Sequence, residues 1–190
     1  MNKGKQLLKL KKKCLECRKC SIGGKLIDGC ISNVFSNMCR RAHIMVVGQN
    51  PGYYEVQQGI PFVGLSGKFF DRALKDVVGV DRKMLYISNV IRCKTPNNRS
   101  PNPIEIENCE VFLRREIEIL KPKVVLTLGG FALQKLTGIS GIMKCHGEMQ
   151  MSPRYGIEVL PLLHPSPLNM NNARKKKMFL DDIVALKEFV

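Results

Sequence analysis

His43-Ile44-Met45-Val46-Val47-Gly48-Gln49-Asn50-Pro51-Gly52 decides the architecture. An apolar, β-branched run closed by glycine reads as a buried strand with a polar turn at its carboxyl end. Pro51 fixes that turn, and Gly52 lets a ligand approach the backbone closely. Taken alone, the turn is equally an ordinary strand exit. Working outward, Leu85 to Val90 reads as a second strand. Val124 to Leu128 is a third, turned by Gly129-Gly130 into a helix over 131–136, and Ile157 to Leu163 is a fourth. A helix is expected over 66–78, with Phe69, Phe70, Ala73, Leu74 and Val77 on one face. The clearest helix runs from Ile104 to Leu120, between Pro103 and Pro122. Another runs from Arg174 to Phe189, and a short basic one spans 5–13. Residues 21–42 look irregular, and loops are expected around Gly52, Gly59 and Pro61 and over 94–103. Alternating strands and helices predict an α/β fold. It is a three-layer sandwich in a single domain over 1–190, with a mainly parallel four-stranded sheet and helices on both faces. The segment 1–42 packs onto it.

The 190 residues carry 31 lysines and arginines against 16 acidic residues, a net charge of +15. Such an excess favours polyanions, because neutralising phosphates releases condensed counterions. The basic clusters are Lys9 to Lys13, Arg40-Arg41 and Arg174 to Lys177. The first could equally be a solvated helix face; the last follows a histidine loop and points more directly to nucleic acid. The apolar runs are too short to span a bilayer, and no apolar signal core follows the lysine-rich N-terminus. A cytoplasmic chain with no membrane partner is expected.

Three separated segments can be read as one pocket: Gly48 to Gly52, Ile87 to Val90, and Leu163-His164-Pro165-Ser166-Pro167-Leu168. In an α/β sheet, strand ends meet at one edge, and ligands bind in the crevice there. The segments supply amides, backbone N–H groups and an imidazole, suited to a planar heterocycle. A lone histidine after a strand is often structural, but Pro165-Ser166-Pro167 makes a rigid loop of the kind that carries function. Phe62, between Pro61 and Gly64, is either core or a ring that stacks on a base. Asn89 can both accept and donate, which matches the N3–H and O4 edge of uracil.

Eight cysteines without a secretory signal argue for metal or cluster ligation over disulfides. Cys14, Cys17 and Cys20 form two overlapping C-x-x-C pairs, and Cys93 and Cys109 flank the proline-rich loop. Four thiolates suit zinc or an iron–sulfur cluster. Cys30, Cys39 and Cys145 lack partner spacing and read as structural.

These residues together resemble the uracil-DNA glycosylase superfamily, most of all its iron–sulfur branch, family 4. Gly48 to Glu55 stands where that branch has a G-E-A-P-G-x-x-E-type segment. Gly59 to Gly64 fits G-x-P-F-V-G, and Asn89 to Cys93 fits N-V-x-x-C. Asn98 to Cys109 fits the N-R-S/T-P loop and fourth cysteine, and His164-Pro165-Ser166 fits H-P-S/A. Gln49-Asn50 departs from the branch. Asn50 resembles the mismatch-specific G-I-N-P-G enzymes, and Gln49 those with G-Q-D-P.

The resemblance implies a structural [4Fe-4S] cluster on Cys17, Cys20, Cys93 and Cys109, with Cys14 as the alternative to Cys20. It implies a monomeric DNA-repair hydrolase that excises uracil from single- or double-stranded DNA. Asn50 and His164 are its expected catalytic residues. Gln49, Glu55, Phe62 and Asn89 would bind the base, with a wall near Tyr54 or Glu55 excluding the thymine methyl. Ser166, Leu168, Arg174 and Lys175 would contact DNA. The alternatives are a mismatch-type enzyme of wider range (T·G, hypoxanthine), a non-catalytic DNA-binding iron–sulfur protein of the same fold, a covalent uracil-DNA trap, and an unrelated zinc protein. No extra basic loop of the covalent-trap type stands between Arg82 and Asn89. No paired-carboxylate arrangement supports ordinary glycoside-hydrolase chemistry.

Overall fold

The computed structural model describes residues 2–27, 30–37, 39 and 42–190. The expected cluster Arg40-Arg41 and the side chain of Cys30 lie outside what is described. Helix α1 (Lys3–Leu15) is capped by Asn2, whose side chain accepts from the Gly4 N–H at 2.8 Å. Its buried stripe is Leu7, Leu10 and Cys14. The next segment is not wholly irregular: β1 (Leu26–Ile27) and β2 (Cys30–Ile31) pair antiparallel.

The central sheet begins with β3 (Ile44–Gly48), which is buried at every position. Alternate residues explain this. Met45 and Val47 face a core shared with α1, while Ile44 and Val46 face a second core on the other side. Helix α2 (Tyr53–Gln58) follows, where the sequence suggested only loop. Six residues with one buried side chain, Val56, carry too short an apolar stripe to read. Helix α3 (Leu65–Ala73) continues as a π turn over Leu74–Val78, which Gly79 ends at φ 80°. The expected helix over 66–78 is therefore one α segment and one wider turn. Strand β4 (Tyr86–Asn89) leads through the loop to α4 (Pro103–Leu120). Asn102 and Glu105 form a reciprocal capping box at its start.

Strand β5 (Val124–Leu128) and α5 (Gly130–Thr137) match their expected places. Strand β6 (Gln150–Ser152) pairs antiparallel with β7 (Ile157–Leu162). The sheet thus has five strands, in the order β4-β3-β5-β7-β6, instead of four. The fifth leaves no signature in the sequence, because an edge strand needs no continuous apolar run. The chain ends with α6 (Pro167–Met170), α7 (Ala173–Ile183) and a 3-10 turn over Val184–Phe189. Phe112, Leu113 and Ile117 of α4 share the first core; Phe70 of α3 and Phe179 and Ile183 of α7 share the second. No helix among the described residues is long and apolar enough to cross a membrane.

The strand order positions the site. From β3 the chain moves to β4 on one side, then crosses back to β5 on the other. The carboxyl end of β3 is therefore a topological switch point, where a crevice must open. Gly48 to Gly52 leaves the sheet there.

Candidate active site

Gly48 is in register with Asn89 across the β3–β4 ladder. Pairing persists beyond the strands: Val90 N–H donates to Gly48 C=O and Ile91 N–H to Gln49 C=O, both at 2.9 Å. A Cβ on Gly48 would lie 2.5 Å from the Phe62 ring and 2.6 Å from Asn89 Oδ1. Glycine here lets a ring and an amide meet the strand backbone.

Phe62 is held in the left-handed region at φ 53°, which a bulky residue adopts only under constraint. The constraints are visible. Glu55 Oε1 accepts from the Val63 and Gly64 N–H groups at 2.8 Å each, and Oε2 from the Gly52 N–H at 3.1 Å. From the other side, Arg82 donates to the Phe62 and Pro61 carbonyls at 2.8 Å each, and pairs with Asp71 at 2.7 Å. Gly67 leaves room for the Phe62 carbonyl, which a Cβ would overlap.

His164 faces Phe62 with ring centroids 6.2 Å apart. Burial holds its pKa below the ordinary imidazole value, against a weaker upward pull from the Glu55 carboxylate. Asn169 Nδ2 donates to the His164 carbonyl at 2.9 Å, and Lys175 Nζ donates to Asn169 Oδ1 at 3.2 Å. Asn50 Nδ2 donates to the Pro51 carbonyl at 2.9 Å. Asn89 is 3% exposed, and its Oδ1 has no hydrogen-bond partner. A buried amide oxygen left this way costs stability unless a ligand satisfies it.

Asn50, Gly52, Glu55, Phe62, Ser66, Asn89 and His164 line one pocket of about 140 Å³. A larger groove of about 400 Å³ at the opposite edge is lined mainly by apolar residues around Ile44, Val80 and Phe189. Its lining includes Cys39, His43 and Lys83 but none of the pocket segments read from the sequence, which meet at the smaller pocket. Gln49 does not line the pocket; its carbonyl is tied into the ladder. Glu55 does line it, but both carboxylate oxygens are spent on loop amides. Tyr54 stands outside, 54% exposed.

The uracil DNA glycosylase superfamily profile matches residues 35–186. A type-4 uracil-DNA glycosylase of Sulfurisphaera tokodaii is 32% identical over 96% of this chain and 84% of its own length. One from Thermotoga maritima is 37% identical over 77% of each chain, and one from Archaeoglobus fulgidus 34% identical over 80% and 77%. The chain belongs to the uracil DNA glycosylase superfamily. The superfamily resemblance read from the motifs therefore holds, as does the α/β fold.

The expected DNA-contact residues of this superfamily member surround the pocket's histidine loop. Ser166 caps α6, Leu168 is 84% exposed, and Arg174 and Lys175 open α7. Lys175 is partly engaged through Asn169 rather than fully free.

The thiols gather at the other end of the β4 loop. Burial pushes Cys93 up to about 12; the Cys109 and Cys20 thiols add to this, while the Ser32 hydroxyl and the Gly24 N–H oppose it. Cys109 is likewise raised by burial, against a hydrogen bond from the Arg92 N–H, with Cys20 and Cys17 adding to the rise. Cys93 and Cys109 are buried, and Cys17 and Cys20 are half-buried. Buried thiols such as Cys93 and Cys109 ionise only against compensating positive charge. Among the described residues, no three such side chains stand close enough to share a single metal ion. Cys14 is fully buried, and burial raises its thiol strongly. Its charged neighbours are Arg92 and Glu116 first, then Cys93 and Cys109.

Several site residues had no signal in the sequence. Ser66 read only as a helix start. Arg82 sits 20 residues from the carbonyl it holds. Arg92 and Glu116 form a buried pair at 2.7 Å, with Ser88 Oγ donating to the same carboxylate at 2.8 Å. This pair anchors the strand end that carries Asn89.

Proposed function

We propose that this protein is a monofunctional uracil-DNA glycosylase that hydrolyses the N-glycosidic bond of flipped-out deoxyuridine, releasing uracil and leaving an abasic site. The observation that carries the reading is the unpartnered Asn89 amide oxygen beside Phe62 and His164 in one pocket. Asn89 Oδ1 accepts from uracil N3–H while its Nδ2 donates to O4. Cytosine presents the opposite pattern and leaves both groups unpaired. Phe62 stacks on the ring.

A base inside duplex DNA must first leave the stack. Arg174, Lys175 and Ser166 hold phosphates, and Leu168 fills the gap. As the C1′–N1 bond breaks, its electron pair goes to the base and negative charge grows on O2. His164, neutral because of its burial, donates to that oxygen; losing such a donor typically costs about 10²–10³ in rate. The Asn50 N–H group assists. Asn50, oriented by its bond to Pro51, positions the water whose oxygen bonds to C1′. An oxocarbenium-like sugar needs little base help, so an amide suffices; the water's proton ends on solvent and the uracil anion is protonated on release. Glu55 shapes the pocket by holding the loops and lines the wall where a thymine methyl would meet it.

Cys17, Cys20, Cys93 and Cys109 would hold a [4Fe-4S] cluster, with Cys14 as the alternative to Cys20. Its contribution would be structural: cross-linking the N-terminal segment to the loop near the DNA backbone. Brown colour with a broad visible absorption band, lost on Cys93→Ala, is expected; a colourless zinc form would overturn it.

A wider substrate range is a second reading. Gly52 lines the pocket without a side chain, and Asn50 matches the mismatch-type motif. Release of free base should be measured from oligonucleotides carrying U·G, U·A, single-stranded U, T·G and hypoxanthine. Uracil release alone supports the narrow reading, added T·G or hypoxanthine release the wider one. No release from any substrate would overturn both and leave a non-catalytic DNA-binding member. The enzyme is proposed to act as a monomer.

A further inference from the structure

Two exposed aromatic rings stand at the pocket mouth with no role in base reading. Gly52 lines the pocket, and α2 starts at the next residue with Tyr53 and Tyr54. They are 51% and 54% exposed, with ring centroids 5.4 Å apart in an edge-to-face arrangement. Tyr54 lies against Gly64, since a Cβ there would meet its ring at 3.4 Å. The next residue, Leu65, is 64% exposed. Large rings held at half exposure beside a binding site mark a contact surface.

We propose that Tyr53 and Tyr54 form a stacking platform for an unpaired base next to the flipped nucleotide, which fits the enzyme to single-stranded uracil DNA. This rests on the glycosylase reading of the adjoining pocket. The occupant follows from continuity and charge. A strand entering the pocket must pass its mouth, and the chain's +15 charge favours a polyanion over an apolar protein partner. In a duplex, the neighbours of a flipped nucleotide stay stacked and paired, with no free face to offer. In a single strand those faces are open, and tyrosine faces accept any base without sequence preference.

The chain has four tyrosines and no tryptophan, and Tyr86 is fully buried, so stacking can be read directly in tyrosine emission. Titration with a uracil-free oligothymidylate should quench emission of the wild-type protein. By anisotropy of a labelled oligothymidylate, the double variant Tyr53→Leu/Tyr54→Leu should bind roughly five- to a hundred-fold more weakly, the range of one lost stack. The Tyr53→Phe/Tyr54→Phe variant should bind like wild type, because stacking needs the ring and not the hydroxyl. On uracil substrates the leucine variant should raise KM for single-stranded DNA and leave kcat and the U·A duplex KM unchanged. Absent quenching, equal binding by the leucine variant, or equal losses on both substrates would overturn the platform. Since oligothymidylate carries no uracil, its binding tests the platform even if the wild-type protein releases no base, an outcome that would sink the glycosylase reading alone.

Discussion

Asn89 stands beside Gly48 across the ladder, so close that a Cβ at residue 48 would lie 2.6 Å from its amide oxygen. The same Cβ would meet the Phe62 ring at 2.5 Å. One missing methyl group therefore sets the spacing between the base-reading amide and the stacking ring. Gly48→Ala should push both outward and lower uracil release by about 10², the typical loss for a displacement of about 1 Å in a catalytic site. Single-turnover assays with the melting curve check that the loss is not unfolding.

Asn89→Asp should weaken uracil excision, because the carboxylate cannot donate to O4. When protonated, it presents the donor–acceptor order that cytosine needs. Base release from C-containing and U-containing oligonucleotides checks both changes. Full uracil activity in Asn89→Ala or His164→Ala would show that these residues do not read or activate the base.

His164 must stay neutral to donate as proposed. Burial lowers its pKa below the free value, so the folded protein holds the neutral form to lower pH than a free imidazole would. The acid limb of kcat/KM should therefore fall below about pH 6.5. The stability sign agrees: the unfolded chain takes up this proton first, so His164 contributes least stability as pH falls through that window. A pH–rate profile compared with His164→Gln, which should lose that limb, is the measurement.

Arg82 does not itself line the pocket, yet it holds the Phe62 and Pro61 carbonyls and Asp71 together. Arg82→Lys cannot make this fork. Phe62 should relax from its left-handed conformation, and KM should rise more than kcat falls. Steady-state kinetics on one uracil oligonucleotide will show the split.

The Arg92–Glu116 pair is almost wholly buried. Glu116→Leu should leave the guanidinium uncompensated and cost about 3–5 kcal/mol, whereas Arg92→Met with Glu116→Leu should recover most of it. Urea denaturation of the three proteins tests this. Equal losses in both variants would mean that side-chain volume, not charge, is at stake.

Much of the fold was open to reading because its elements carry strong local signals. The runs 44–48 and 124–128 are apolar on both faces, since helices cover both sides of the sheet. Helix α4 has Asn102, Pro103 and Glu105 at its start, which is cap chemistry visible in one dimension. The short α2 and edge strand β6 were missed because neither buries a continuous stripe. Asn50, Glu55, Phe62, Asn89 and His164 stand out in the sequence by turn residues and motif order, and all five line one pocket.

What the chain alone determined is which groups are available: a neutral-capable imidazole, two amides, an aromatic ring and paired thiols. Tertiary structure decided their tasks. Only the β4-β3-β5 order places Gly48 against Asn89, and only folding turns Glu55 from a base-facing wall into a clamp on three loop amides. Arg82, Ser66 and Glu116 gained their roles in the same way. Local propensity acts over a few residues, whereas a buried charge or a strained ring is satisfied by whatever the long-range packing brings beside it.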